Sequence, residues 1–204
     1  MTIAGLMIFA AAYAMAVASP GPGVAAILAK ALGNGLKGMG AFILGFVAGD
    51  LVLFLIAAFG LAAVAQAHAG VLAFIKYAGA ACLLYLAWKL WTAPVVATEV
   101  AAKTEPTAGP RLFLTSFALT IGNPKPIIFF MAILPAIVDL GRLDAVGILE
   151  IATVIVVIIT SILALYAVAA ARARALFSSP RSTKALNRGT GAVMACAAAA
   201  VARS

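Results

Sequence analysis

Residues 1–29, MTIAGLMIFAAAYAMAVASPGPGVAAILA, run without a charged side chain until Lys30. At ~1.5 Å per helical residue, such a run can cross a hydrocarbon core ~30 Å thick. Ser19-Pro20-Gly21-Pro22-Gly23 stands inside it. A proline within a helix removes a backbone hydrogen bond and clashes with the preceding turn, so the helix breaks here. Lipid offers the freed polar groups no partner, and a break survives only where it is buried in protein or lines a cavity. The stretch reads as one membrane span interrupted near mid-depth. No basic residue precedes the apolar run, so it is expected to remain as a span rather than leave as a signal peptide.

The remainder of the chain agrees with that medium. Of 204 residues, 66% are hydrophobic and 10% charged, and the mean hydropathy is +1.18. This excludes a water-soluble globular fold. The length allows about six spans. After the first, spans are expected over residues 39–64, with Asp50 inside, and 71–91, with Lys76 near its start and Trp88 and Trp91 near its end. A fourth covers 112–138 and is broken by Asn123-Pro124-Lys125-Pro126; a fifth covers 146–171, and a short alanine-rich sixth 186–202. The expected fold is an all-α integral membrane protein forming a single transmembrane domain over residues 1–204. Residues 1–91 and 111–204 form two three-helix repeats, each with a broken first helix, joined by a linker over 92–110.

Charge sets the sidedness. A net charge of +8 could suit nucleic acid, but in a membrane protein basic residues mark cytoplasmic loops. Lys30 and Lys37 follow span one; Lys89, Lys103 and Arg111 follow span three; Arg172, Arg174, Arg181, Lys184 and Arg188 follow span five. Against them the opposite side has Arg142 and Arg203. Both termini are therefore expected in the periplasm and the linker in the cytoplasm. An odd number of spans per repeat inverts the second copy. Cys82 and Cys196 stand alone in apolar runs without a CxxC pattern, which suits packing better than a disulfide or metal site. Neither a metal nor a cofactor is expected.

The helical rise places three features at one depth. Pro22 lies roughly 15 Å, Asp50 roughly 16 Å and Lys125 roughly 20 Å from the cytoplasmic face. Interrupted spans at matching positions of two halves point to a transporter's substrate site. Half-helices opening near Gly23 and Ile127 would both present free N–H groups and a positive dipole end to a carboxylate. The carbonyls closing the preceding half-helices, with Asp50, would suit an ammonium group or a proton. A zwitterion such as an amino acid fits both.

These residues also carry a family resemblance. Ser19-Pro20-Gly21-Pro22-Gly23, Gly45-Phe46-Val47-Ala48-Gly49-Asp50, and Leu119-Thr120-Ile121-Gly122-Asn123-Pro124-Lys125 leading into Phe129-Phe130 resemble the LysE/RhtB family of bacterial inner-membrane amino-acid exporters. The resemblance covers nearly the whole chain, including residues 76–91 and Leu186-Asn187-Arg188. It implies six spans and efflux of lysine, homoserine, threonine or related amino acids, driven by the proton-motive force. The family's motif positions fall on Pro20, Gly21, Pro22, Asp50, Asn123, Pro124 and Lys125. Gly23 joins them as a candidate for substrate binding or coupling. The final span departs from the pattern, being rich in small residues and abruptly ended.

Plainer roles compete at each position. Asp50 could neutralise Lys125, carry a proton or bind an amine. Lys125 could donate to the open carbonyls of a broken helix or bind the substrate carboxylate. Asn123 could cap the following half-helix. Lys76 and Glu150 lie close enough to the outer boundary to snorkel, and His68 falls in the outer loop. Trp88 and Trp91 suit an aromatic belt. Gly45 and Gly49 allow a neighbouring helix to approach. The expected partners are a small amino acid, protons and membrane lipid; homo-oligomerisation stays open. Export of an inorganic cation is weakened by the lack of an intramembrane Cys/His/Asp cluster. A thiol-redox protein would need Cys82 and Cys196 in an activating motif. An enzyme is not expected.

Overall fold

The computed structural model describes residues 2–67, 74, 108–137 and 144–177. These residues form six helices and no strand: α1 (Ile3–Ala18), α2 (Pro22–Asn34), α3 (Met39–Ala67), α4 (Gly109–Ile121), α5 (Pro124–Ile137) and α6 (Ala145–Phe177). The expected spans over 71–91 and 186–202 lie outside the described residues. So do Cys82, Cys196, His68, Lys76, Trp88 and Trp91.

Both expected breaks are present. The Thr2 hydroxyl caps α1 by accepting from the Gly5 amide at 3.2 Å. Pro20 has no N–H with which to continue the ladder, and α1 closes with Ser19 N donating to Met15 O. Gly21 is extended, and Pro22 takes the first position of α2, where a missing N–H costs nothing. The axes of α1 and α2 differ by 54°, and those of α4 and α5 by 56°. A turn well short of a right angle carries the chain onward rather than back, as one broken span would. The segments Met39–Leu61 of α3 and Ala145–Ala173 of α6 are each long and apolar enough to cross a bilayer. The protein is a multi-pass membrane protein.

Two local expectations need correction. Helix α6 runs past residue 171 and carries Arg172 and Arg174, which were expected in a loop. Alanine and arginine are strong helix formers, and no proline intervenes before Pro180. Lys30, counted with the first cytoplasmic loop although the helical run reaches Leu32, lies within α2 and is buried, its ammonium 5.9 Å from the centroid of Phe42. A cation over an aromatic face keeps a favourable electrostatic partner there.

The packing exchanges partners between the halves. Helices α1 and α2 lie chiefly along α6, whereas α4 and α5 lie along α3. Each broken span thus rests on the unbroken helix of the other half. The buried stripe of α6 (Ile151, Ile155, Ile159, Leu163 and Ala167) recurs every fourth residue, as one helical face requires. Between α2 and α3 the chain reverses at Gly35 and Gly38, whose φ values of 63° and 69° favour glycine.

Helix α3 approaches α4 closely. A methyl group on Gly45 would collide with the Ser116 hydroxyl and Phe113 carbonyl; one on Gly49 would meet Thr120. Small residues four apart on both helices let the backbones meet. Gly45→Ala should therefore cost ~1–3 kcal/mol by overpacking. Gly60→Ala on the same helix meets no atom within 4 Å and should be neutral or slightly stabilising. Thermal unfolding in detergent separates the two: equal melting temperatures would refute the close approach.

Candidate functional site

The breaks meet at an open-mouthed cavity of about 70 Å³. That is smaller than the ~300–1,000 Å³ of typical small-molecule sites, so an amino acid needs the cavity to widen. Helix α1 contributes Tyr13, Ala16 and Val17, and α2 contributes Gly23 and Val24; Ser19 and Gly21 come from the break between them. From α3 come Phe46 and Asp50; from α4 Thr120; from the second break Asn123; from α5 Lys125, Pro126 and Phe129; from α6 Ile159 and Leu163. Of the residues singled out from sequence, Gly21, Gly23, Asp50, Asn123 and Lys125 line this space. Pro20, Pro22 and Pro124 do not; they are exposed and make the breaks rather than the wall.

Asp50 is 5% exposed. Its Oδ2 accepts a hydrogen bond from the Tyr13 hydroxyl at 2.5 Å. Lys125 reaches the other break: its Nζ donates to the Ser19 carbonyl at 2.9 Å and to Ser19 Oγ at 2.6 Å. Asp50 and Lys125 are also coupled electrostatically across the cavity. The Tyr166 hydroxyl, from α6, donates to the Ala18 carbonyl at 2.7 Å. Two carbonyls at the end of α1 are therefore closed by side chains from the second half of the chain. Lys125 thus donates to an open carbonyl of a broken helix, one of the two roles weighed for it from sequence.

The N-terminal ends of the two inner half-helices differ in the same decisive way. In α2 the first amide to bond within the helix is that of Ala25, to Gly21 O at 2.9 Å. Gly21 offers no side-chain cap, which leaves the Gly23 and Val24 amides without a helical partner. In α5, Pro124 and Pro126 have no N–H, and the Lys125 amide is taken by Asn123 Oδ1 at 3.1 Å. Free amides were expected at both half-helices: α2 leaves those of Gly23 and Val24 open, whereas α5, which begins at Pro124, has its Lys125 amide taken by Asn123. Asn123 does cap that helix.

Sequence reasoning missed four contributors: Tyr13, Thr120, Tyr166 and the Ser19 side chain. Tyr13 had a readable signal, as a phenol in an uncharged run six residues before the break. Tyrosine hydroxyls buried in apolar surroundings usually find a partner. Thr120 bonds back to the Ser116 carbonyl at 2.9 Å, so its hydroxyl is internally satisfied while the residue lines the wall.

The model of the LysE type translocator family matches residues 14–204. The chain belongs to that family. Among relatives of this LysE-type translocator is a homoserine/homoserine lactone efflux protein of Salmonella typhi. It is 28% identical over 178 residues, covering 86% of this chain and 84% of the relative. A leucine efflux protein of Salmonella choleraesuis is 28% identical over 120 residues, 59% of this chain and 57% of the relative. No solved structure matches the chain. The named relatives are efflux proteins.

Proposed function

We propose that this LysE-type translocator exports small zwitterionic amino acids across the bacterial inner membrane, driven by the proton gradient. The observation that carries the reading is the cavity between the two helix breaks, with buried Asp50 facing Lys125 across an otherwise largely apolar wall. One acid and one base balance a zwitterion without net charge. Lys125 and the Gly23 and Val24 amides take the substrate carboxylate. Asp50 takes the ammonium group or, in the empty site, a proton. Val17, Val24, Phe46 and Phe129 receive the side chain. Pro20, Pro22 and Pro124 serve by holding the breaks open, and Gly21 by giving the Lys125 side chain room beside it.

Residues 1–91 and 111–204 act in this reading as inverted repeats, joined by a cytoplasmic linker over 92–110, with both termini periplasmic. The exchange of packing partners and the matched bends support it. Cysteine labelling tests the topology: a membrane-impermeant reagent should reach position 104 from the cytoplasm and position 68 from the periplasm. Labelling of both from one side would sink the inversion.

Substrate and driving force are tested together in proteoliposomes under an imposed pH gradient, with radiolabelled amino acids beginning with homoserine and leucine. At least one should accumulate against its own gradient and stop when the pH difference is collapsed. Flux indifferent to the pH gradient would overturn proton coupling. Equal transport of simple amines and carboxylic acids would overturn the zwitterion.

A further inference from the structure

Asp50 is held on one side by a group that the exchange of substrate and proton does not by itself require. The Tyr13 ring is 2% exposed. It stacks on Phe9 at 5.7 Å between centroids and is flanked by Phe129 at 5.6 Å and Phe130 at 5.9 Å. With two rotatable bonds and three aromatic neighbours, the ring cannot swing aside without repacking the core. Its hydroxyl is therefore fixed on Asp50 Oδ2. Asp50 itself stands on α3, an unbroken helix of 29 residues. Of the other elements around the cavity, α5 faces Asp50 with the ammonium of Lys125, while α4 and α6 present Thr120, Ile159 and Leu163, none of which titrates.

We propose that Tyr13 is a positioning residue for Asp50: by occupying Oδ2 it leaves Oδ1 as the one oxygen for which a proton and the substrate ammonium compete. The inference rests on the transport reading above. A free carboxylate could hold a proton on one oxygen and an ammonium on the other, and the two loads would then travel together. With one oxygen taken, the loads exclude each other. Asp50 releases its proton to water in the cavity before the ammonium enters, and takes a proton again after the ammonium has left. Exclusive occupancy of one group is what converts two downhill exchanges into an antiport.

The test begins on purified protein without substrate. The pH-dependent infrared band of the Asp50 carboxyl, assigned by its loss in Asp50→Asn, is titrated in wild type, Tyr13→Phe and Tyr166→Phe. Tyr13→Phe keeps the aromatic stack and removes only the hydroxyl. A hydrogen bond to a charged group is worth on the order of a tenfold change in its ionisation equilibrium, so the midpoint should move by about one pH unit. Tyr166→Phe removes a hydroxyl bonded to the Ala18 carbonyl and should leave the midpoint where it is. Equal midpoints in wild type and Tyr13→Phe would overturn the inference, as would an equal shift in both variants. The second readout is proton release when homoserine or leucine binds in detergent. Tyr13→Phe should release fewer protons per substrate than wild type, and unchanged release would also overturn the inference. If the wild type binds neither amino acid, the choice of substrate falls, while the infrared midpoint still decides the role of Tyr13.

Discussion

Asp50→Asn is expected to abolish uphill export driven by a pH difference, to background. Exchange of labelled for unlabelled substrate between equal pools should survive in part. Asparagine has nearly the same shape, and its carbonyl can still accept from the Tyr13 hydroxyl, so insertion and packing should be preserved. What it lacks is a removable proton. Net export coupled to protons requires a group that changes protonation between the two access states, whereas exchange requires only that substrate bind and the carrier turn over. Asp50→Glu restores the carboxyl one methylene further into the cavity and should recover some activity with an altered pH optimum. Active accumulation by Asp50→Asn under a pH difference alone would remove Asp50 from the coupling path.

Lys125→Met is the second large effect. Methionine keeps an unbranched apolar stem of similar reach but has no ammonium. The Ser19 carbonyl then loses the donor that closes the end of α1. A half-buried carbonyl left unpaired costs ~1–3 kcal/mol. The cavity also loses the charge that faces a substrate carboxylate. Export at low substrate concentration should fall more than tenfold, chiefly through a raised KM, and the unfolding temperature should drop. A variant of lower stability with an unchanged KM would assign Lys125 to holding the break alone.

The features most legible in the sequence were those imposed by the solvent. A hydrocarbon core demands long apolar runs and confines prolines to protected breaks, so both interruptions followed from spacing. The small pair Gly45 and Gly49 likewise announced a close helix contact. What stayed hidden depended on which neighbour each break would face. Nothing in the order of residues says that α1 lies along α6, so the closure of the Ala18 carbonyl by Tyr166 could not be read, nor which carbonyl Lys125 would reach. The shortfall at α5 was of another kind. Pro124, Pro126 and Asn123 were visible, and counting N–H groups would have shown that this half-helix offers fewer open amides than α2. The boundary of α6 was missed because charge was weighed above helix propensity.

The claim that one cavity between the breaks holds a zwitterion is tested most directly by protection of a residue in its wall. Ala16 lines the cavity, and Ala16→Cys, in a chain with Cys82 and Cys196 replaced by alanine, adds a small reactive group there. Alkylation by a small neutral thiol reagent should be slowed by the transported amino acid, and far less by the corresponding amine or carboxylic acid at equal concentration. Equal protection by the amine, or an alkylation rate indifferent to the amino acid, would contradict it.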